Sequence, residues 1–325
     1  MTARVVLLGS DPIALPAFTA LAALPGLEIV GVWSQPDRPS GRGQTLQPNE
    51  VSTWALARGL QLFRPEIFDA QEDQRLAALK VDLAVVMAYG QLLRESSLAL
   101  PRLGFVNFHG SLLPALRGAT PVEGALALGL TETGIALQQV VRKLDAGPLL
   151  ATRSLRVSPN TGRVALRAEI GELAAVLAVD AIPALIAGRL VAQPQDESQA
   201  TYTRRLRRED AALDFTQPAP LLAQRIRALQ GWPGSTFMLG QVRLKVGSAQ
   251  ADPQTSGLPA GTVLAVDTTS LQIATGAGTL HIHELQRPGG KMLPIAAFIS
   301  GFKIEVGSQC TSEPMLPLVG NRPLK

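Results

Sequence analysis

The sequence predicts a doubly wound α/β fold with a parallel sheet, followed by a smaller β-barrel, on three observations. Over the first 187 residues, short and nearly continuous apolar runs alternate with helical patterns, as central strands covered by helices on both faces do. After Gly188 the pattern changes to closely spaced short β segments, which suit a small barrel. With 325 residues and 46% hydrophobic content, the chain can bury a sizeable core and exceeds the usual length of one domain.

In order, strands are expected at residues 5–8, 29–34, 83–87 and 105–108, with helices over 15–24 and 50–58. The Pro and Gly content of 35–48 predicts a loop without regular structure. Two more strands are expected at 135–141 and 149–157, then a long helix over 162–187. Gly188 can end that helix because glycine accepts a left-handed backbone. The run Gln193-Pro194-Gln195-Asp196-Glu197-Ser198-Gln199 is polar with no apolar period and suits a linker. The expected division is a first domain over 1–189, a linker over 190–208 and a C-terminal domain over 209–325. In the last of these a helix is expected at 219–229 and strands at 236–239, 242–246, 262–266, 271–274 and 279–283. Leu239-Gly240-Gln241 forms the first hairpin turn.

One cysteine, Cys310, excludes an internal disulfide and fits a reducing compartment. No stretch is long and apolar enough to span a bilayer, and the start of the chain reads as a strand, so a cytoplasmic protein without membrane association is expected; a monomer is expected as well. The formal charge of +4 is uneven: 17 Lys/Arg against 16 Asp/Glu in residues 1–189, and 13 against 10 thereafter. Such an excess does not by itself define a nucleic-acid footprint. His281 and His283 can share a strand face, but no third and fourth ligand accompanies them at zinc spacing, so no metal is expected. Trp232, beside Pro233, is expected in the core.

The segment Gly104-Phe105-Val106-Asn107-Phe108-His109-Gly110-Ser111-Leu112-Leu113-Pro114 carries the chemistry: a strand running into a turn-rich loop. Strand C-termini in parallel sheets open onto the ligand crevice. Asn107 and His109 are two apart, so in extended backbone they share a side, and an amide donor and an imidazole can converge on one carbonyl oxygen. Lys143-Leu144-Asp145-Ala146-Gly147-Pro148 joins two expected strands and can bring a carboxylate to the same crevice, favouring the charged, proton-donating imidazole. The set suits acyl transfer. Purely structural roles stay open on the pattern alone: Asn107 satisfying backbone groups, His109 packed, Asp145 shaping a turn. Ser111 lacks the Gly-x-Ser-x-Gly surroundings of a nucleophile elbow.

Asn107-Phe108-His109-Gly110-Ser111-Leu112-Leu113-Pro114, then Arg117-Gly118-Ala119-Thr120-Pro121 and Leu144-Asp145-Ala146-Gly147, resembles the signature of folate-dependent formyltransferases. Ser34-Gln35-Pro36-Asp37-Arg38-Pro39-Ser40-Gly41-Arg42-Gly43, Met87-Ala88-Tyr89-Gly90 and Gly231-Trp232-Pro233 narrow the resemblance to the branch acting on an aminoacyl-tRNA. The resemblance implies a Rossmann-like formyltransferase domain and a C-terminal OB-like barrel that helps hold initiator methionyl-tRNA. It implies attack of the methionine α-amine on the formyl carbon of 10-formyltetrahydrofolate, for translation initiation. Asn107 and His109 would stabilise the oxyanion, and Asp145 would orient His109 and help move protons. Neither a metal nor a covalent enzyme intermediate is required.

For the folate it implies a site shaped by Ser111, Leu112, Leu113 and Pro114, with walls from Met87, Tyr89, Gly90 and Leu92. For the tRNA it implies contacts from the 35–48 insertion through Arg38 and Arg42, with Arg117 on the acceptor side. The cluster Arg204, Arg205, Arg207 and Arg208 can track a phosphate backbone; a solvated face paired with Glu209 and Asp210 is the alternative. The chain departs from the family pattern at Gln44-Thr45, where lysines are frequent, at Ala115-Leu116, and at the opening turn Gly9-Ser10-Asp11-Pro12. An amino-sugar nucleotide formyltransferase, which shares the Asn-x-His and the later Asp, is the alternative enzyme. A tRNA-binding module without catalysis is the alternative outside enzymes.

Overall fold

The computed structural model describes residues 2–40 and 45–324. The chain forms two compact units, one of Met1–Pro121, Glu132–Arg156 and Arg167–Tyr202, the other of Val122–Thr131, Val157–Leu166 and Thr203–Lys325.

The first unit is built on strands β1 (Ala3–Leu8), β2 (Leu27–Trp33), β5 (Leu62–Phe63), β6 (Leu83–Val86), β7 (Phe105–His109), β9 (Glu132–Gln139) and β10 (Leu149–Arg156). They lie in the order β10-β9-β7-β6-β1-β2-β5. The expected parallel sheet holds from β7 to β5, but β9 and β10 are antiparallel to their neighbours, so the sheet is mixed. Loop 140–148 is too short to carry a crossover, so β9 and β10 pair as a hairpin. Val5, Val6, Leu7, Leu83, Ala84 and Val85 are buried, which explains why these strands read as unbroken apolar runs.

Helices α1 (Leu15–Ala23), α2 (Glu50–Ala57), α3 (Ala70–Ala78), α4 (Glu95–Leu98) and α5 (Pro121–Ala127) intervene, followed by α6 (Arg163–Ile186). Asn49 caps α2 by accepting from Ser52 N–H at 2.9 Å, and Asp69 caps α3 through Gln71 N–H at 2.9 Å. Beyond α6, Gly188 has φ +69° and its N–H donates to Leu185 C=O at 2.9 Å, the expected helix stop. Trp33 stacks on Phe63 at 4.3 Å between ring centroids and donates its indole N–H to Glu72 at 2.7 Å, which satisfies the polar end of a fully buried ring.

Residues 35–48 differ from the expected irregular loop. β3 (Arg38–Ser40) and β4 (Thr45–Gln47) pair antiparallel, so the described part of the insertion is a short ribbon. Its base is fastened: Asn49 donates to Gln35 C=O at 3.2 Å, and Gln35 N–H donates to Ser10 Oγ at 2.9 Å. Two short pieces, β8 (Arg117–Gly118) and β11 (Tyr202–Thr203), come later in the chain.

In the second unit, α7 (Ala219–Ala228) precedes β12 (Ser235–Leu239), β13 (Val242–Asp252), β14 (Val263–Val266), β15 (Leu271–Ala274), β16 (Thr279–Gln286), β17 (Leu293–Pro294) and β18 (Cys310–Thr311). Their antiparallel order is β14-β15-β16-β13-β12-β18, with β17 beside β16. The two ends of this order meet, because Val263 N–H donates to Ser308 C=O at 2.9 Å and Cys310 N–H to Gly261 C=O at 2.8 Å. The sheet therefore curls on itself, as the spacing of its strands predicts. The β12–β13 turn falls at Gly240, φ +58°, where expected. Phe215 and Phe237 meet edge to face at 5.5 Å in a core shared with Leu222, Leu244, Ile273 and Ile282.

Trp232 differs from the expected core position: it is 50% exposed, in a surface turn between Gly231 and Gly234, both at positive φ. Cys310 lies in that core, and burial pushes its thiol up to about 12. We therefore expect no modification by a disulfide reagent in the native protein at pH 8, and full modification after denaturation; rapid native labelling would show the core to be open there.

Candidate active site

Strand β7 ends with Asn107 half-buried and His109 buried. The ladder places Asn107 between Val86 of β6 and Gln138 of β9, and His109 beside Ala136. Among the described residues the Asn107 side chain has no hydrogen-bond partner, so its NH2 is available to a ligand. The His109 ring lies between two acceptors: Nε2 is 2.9 Å from Leu116 C=O, and Nδ1 is 3.7 Å from the Asp145 carboxylate. A neutral ring can donate to one of them; an imidazolium can donate towards both.

Asp145 comes from loop 140–148, which leaves β9 beside the start of β7, since Val106 is opposite Gln139. The loop must fold back to bring its carboxylate to His109, and two features let it do so. Asp145 has φ +45°, a left-handed conformation that costs a non-glycine residue roughly 1–2 kcal/mol. Gly147 passes so close to β9 that a Cβ on it would lie 1.7 Å from Gln139 C=O. Gly147→Ala is accordingly expected to cost about 1–3 kcal/mol in thermal or urea unfolding, with the loop displaced; unchanged stability would mean that the loop has slack.

The Asp145 carboxylate is held at both oxygens. Gly118 N–H donates to Oδ2 at 2.8 Å and Gln138 Nε2 to Oδ1 at 3.0 Å. Gly118 offers its N–H at φ +108°, a conformation open to glycine, and Leu116, whose carbonyl faces His109, sits at φ +60°. Strained backbone thus occurs where His109 and Asp145 are approached. Ser111 is occupied structurally, its hydroxyl donating to Ala115 C=O at 2.6 Å, and the Leu113–Pro114 peptide is cis.

Of the residues expected around a folate, Leu113 is buried while Leu112 and Pro114 are half-buried. Met87 and Tyr89 are buried, and the Tyr89 ring packs in the core with Trp33 and Phe105. Burial pushes the Tyr89 phenol well above its usual range, with Glu72 adding to the effect, and among the described residues its hydroxyl has no hydrogen-bond partner. At Gly90, φ +79°, a Cβ would lie 2.7 Å from Gln35 Nε2, so that side chain fills the space beside the glycine. Leu92 is 88% exposed.

The arginines divide. Arg38 is exposed and paired with Glu66 at 2.7 Å, and Arg205, Arg207 and Arg208 are exposed; Arg42 lies outside the described residues. Arg117 and Arg204 differ from the expectation of phosphate contact because both are buried and engaged internally. Arg117 makes two bonds to the Glu197 carboxylate, each at 3.1 Å, and two to Gln195 Oε1 at 2.8 and 3.1 Å. Burial works against its charge, but the bonds to Glu197 and Tyr202 outweigh that and raise its pKa, while Arg117 and Lys143 hold Glu197 down at about 2. Arg204 binds both oxygens of buried Asp210 at 2.8 and 2.6 Å. The polar run 193–199 also differs from a plain tether, since Gln195 is half-buried and reaches the Asp145 loop. Gln138, buried at 2% exposure, and Gln195 were not singled out from the sequence, although a glutamine ending the apolar run Ile135-Ala136-Leu137 was a usable signal.

Fold and site define a formyl transferase: residues 4–182 match the formyl transferase family and residues 205–303 the formyl transferase C-terminal domain. Methionyl-tRNA formyltransferases of Halorhodospira halophila and Thiobacillus denitrificans are 38% and 40% identical to the chain, each match covering 94% of it and 99% of the relative. The chain belongs to the methionyl-tRNA formyltransferase family. Among solved structures, an N-formyltransferase of Helicobacter canadensis in complex with folinic acid and dTDP-3-aminofucose superimposes with a TM-score of 0.66 at 13% identity, covering 88% of this chain and 100% of that one. HypX of Aquifex aeolicus in complex with tetrahydrofolic acid gives 0.60 at 16%, covering 94% and 48%. At those identities the likeness is one of fold. Among the described residues no helix is long and apolar enough to cross a membrane.

Proposed function

We propose that the chain transfers the formyl group of 10-formyltetrahydrofolate to the α-amino group of methionine on initiator methionyl-tRNA. The observation that carries the reading is the Asn107, His109 and Asp145 constellation at the end of β7 in a chain of this family. The amine attacks the formyl carbon, the carbonyl oxygen becomes an oxyanion, and the bond to the folate nitrogen then breaks. The amine loses a proton and the folate nitrogen gains one, giving formyl-methionyl-tRNA and tetrahydrofolate.

Asn107 NH2 is the standing oxyanion donor. His109 reaches the same oxygen by giving up Leu116 C=O, an exchange between two acceptors that keeps the ring paired. Asp145 faces the ring, fixes its orientation and assists proton transfer. For the folate, Leu92, Leu112 and Pro114 offer accessible apolar surface, whereas Met87 and Tyr89 support the backbone from the core. The decisive assay supplies 10-formyltetrahydrofolate with initiator Met-tRNA, elongator Met-tRNA and an amino-sugar nucleotide in parallel. Formylation confined to initiator tRNA supports the reading, and formylation of the sugar alone overturns the acceptor.

Arg38, Arg42, Arg205, Arg207 and Arg208 remain the proposed phosphate contacts, and Arg38 would exchange Glu66 for phosphate. Serine at 205, 207 and 208 together is expected to weaken tRNA binding and to lower the slope of log K against log salt by about 0.9 per lost duplex phosphate contact. An unchanged slope in a fluorescence titration removes the cluster from the interface. We propose a cytoplasmic monomer with a catalytic domain over 1–189, a connecting segment over 190–208 and a tRNA-holding domain over 209–325.

A further inference from the structure

We propose that Gln195 is a positioning residue for Asp145, so that the segment after the first domain sets the geometry of the reaction centre. The proposal rests on the role given to Asp145 above. Gln195 Nε2 lies 2.9 Å from Asp145 C=O, 2.7 Å from Gly147 C=O and 3.2 Å from Gln138 Oε1. Two hydrogens serve three acceptors that all belong to the Asp145 loop or to the residue holding its carboxylate. Gln138 passes the constraint on, since its own Nε2 donates to Asp145 Oδ1 at 3.0 Å. The amide of Gln195 is oriented in turn by Arg117, whose Nε and Nη2 both donate to Gln195 Oε1. That orientation assigns the NH2 end to the loop.

Arg117 is fixed from both sides of the site. Its side chain is buried against Glu197, which also takes Lys143 of the Asp145 loop at 2.6 Å, and its N–H donates to Thr201 C=O at 2.8 Å. Its chain neighbours face the reacting groups: Leu116 C=O is on His109 Nε2 and Gly118 N–H is on Asp145 Oδ2. One buried guanidinium therefore ties the acceptor facing His109, the donor on Asp145 and the Gln195 clamp into one unit. A loop bearing an aspartate at positive φ, with a glycine pressed on the neighbouring strand, needs such a clamp to hold its carboxylate in register. Misplacing a reacting group by about 1 Å can cost on the order of 100-fold in rate.

The test measures kcat, both KM values and thermal unfolding for the intact chain, Gln195→Ala, Asp145→Asn and the double variant. Gln195→Ala is expected to lower kcat about 10- to 100-fold with each KM within about threefold, while the same change in the Asp145→Asn background costs less than about threefold. A merely structural role would not make the loss vanish when the Asp145 charge is gone. If Gln195→Ala does not fold, Gln195→Glu keeps the acceptor for Arg117, removes both donors and is expected to give the same pattern. An unchanged kcat, or an equal loss in both backgrounds, overturns the positioning role alone; an unaffected kcat in Asp145→Asn overturns the reading of Asp145 beneath it.

Discussion

Asn107→Ala is expected to lower kcat for formyl transfer about 10²- to 10³-fold, with the KM values for folate and Met-tRNA changed little. The amide is an uncommitted donor beside the strand end, so its truncation removes a bond made to developing charge and leaves the resting network intact. His109→Ala is expected to match or exceed that loss, because it also strands Leu116 C=O and removes the ring that the Asp145 carboxylate faces. The double variant should lose less than the product of the two, since both donors serve one oxyanion. Single-turnover measurement of formyl-methionine isolates the chemical step. If Asn107→Ala retains kcat within about threefold, the oxyanion assignment is wrong, and the donor must be sought in the loop that follows His109.

The contrast between what was legible in the sequence and what was not has a physical pattern. Strands and their order of appearance follow from apolar periodicity, which burial on both faces imposes, and the shared side of Asn107 and His109 follows from the two-residue repeat of a strand. The direction of β9 and β10 is not readable from that periodicity, because a buried strand looks alike in either direction; for the β9–β10 pair alone the shortness of loop 140–148 supplies the constraint. Arginines were read by charge, yet charge does not reveal whether the partner is a phosphate or a carboxylate of the same chain. Arg117 and Arg204 meet Glu197 and Asp210, one of them 80 residues away. Gln195 is not legible in the sequence because a polar residue in a polar run carries no pattern; its partners lie in a loop some 50 residues earlier.

Removing Asp210 from beneath Arg204 is the change with the largest expected effect on stability. The pair is nearly dry, with side chains 7% and 0% exposed, and the carboxylate also accepts Arg207 N–H at 2.6 Å while the carbonyl of the same residue accepts Arg225 at 2.9 Å. Breaking a buried pair by deleting one partner leaves an uncompensated charge and costs about 3–5 kcal/mol. Asp210→Ala should therefore lower the melting temperature by on the order of 10 °C, as scanning calorimetry would show. Arg204→Lys should fall part of the way, since an ammonium cannot bind both oxygens as the planar guanidinium does. Replacing both partners with apolar residues, Arg204→Met with Asp210→Leu, should recover part of the loss, because the Arg204 charge leaves with its partner, while buried Arg225, 3.9 Å from the same carboxylate, loses that neighbour and keeps only its bonds to backbone carbonyls. The pH dependence has a definite sign. Burial alone would raise the Asp210 pKa, but the bonds from Arg204 and Arg207 outweigh it and hold the carboxyl below its usual range. A depressed folded-state pKa means that the contribution is complete above the ordinary carboxylate value of about 4 and is lost as the pH falls through the lower folded value. Asp210→Ala should accordingly flatten the acid limb of the stability profile below about pH 4; a limb of unchanged steepness would place the acid-sensitive group elsewhere.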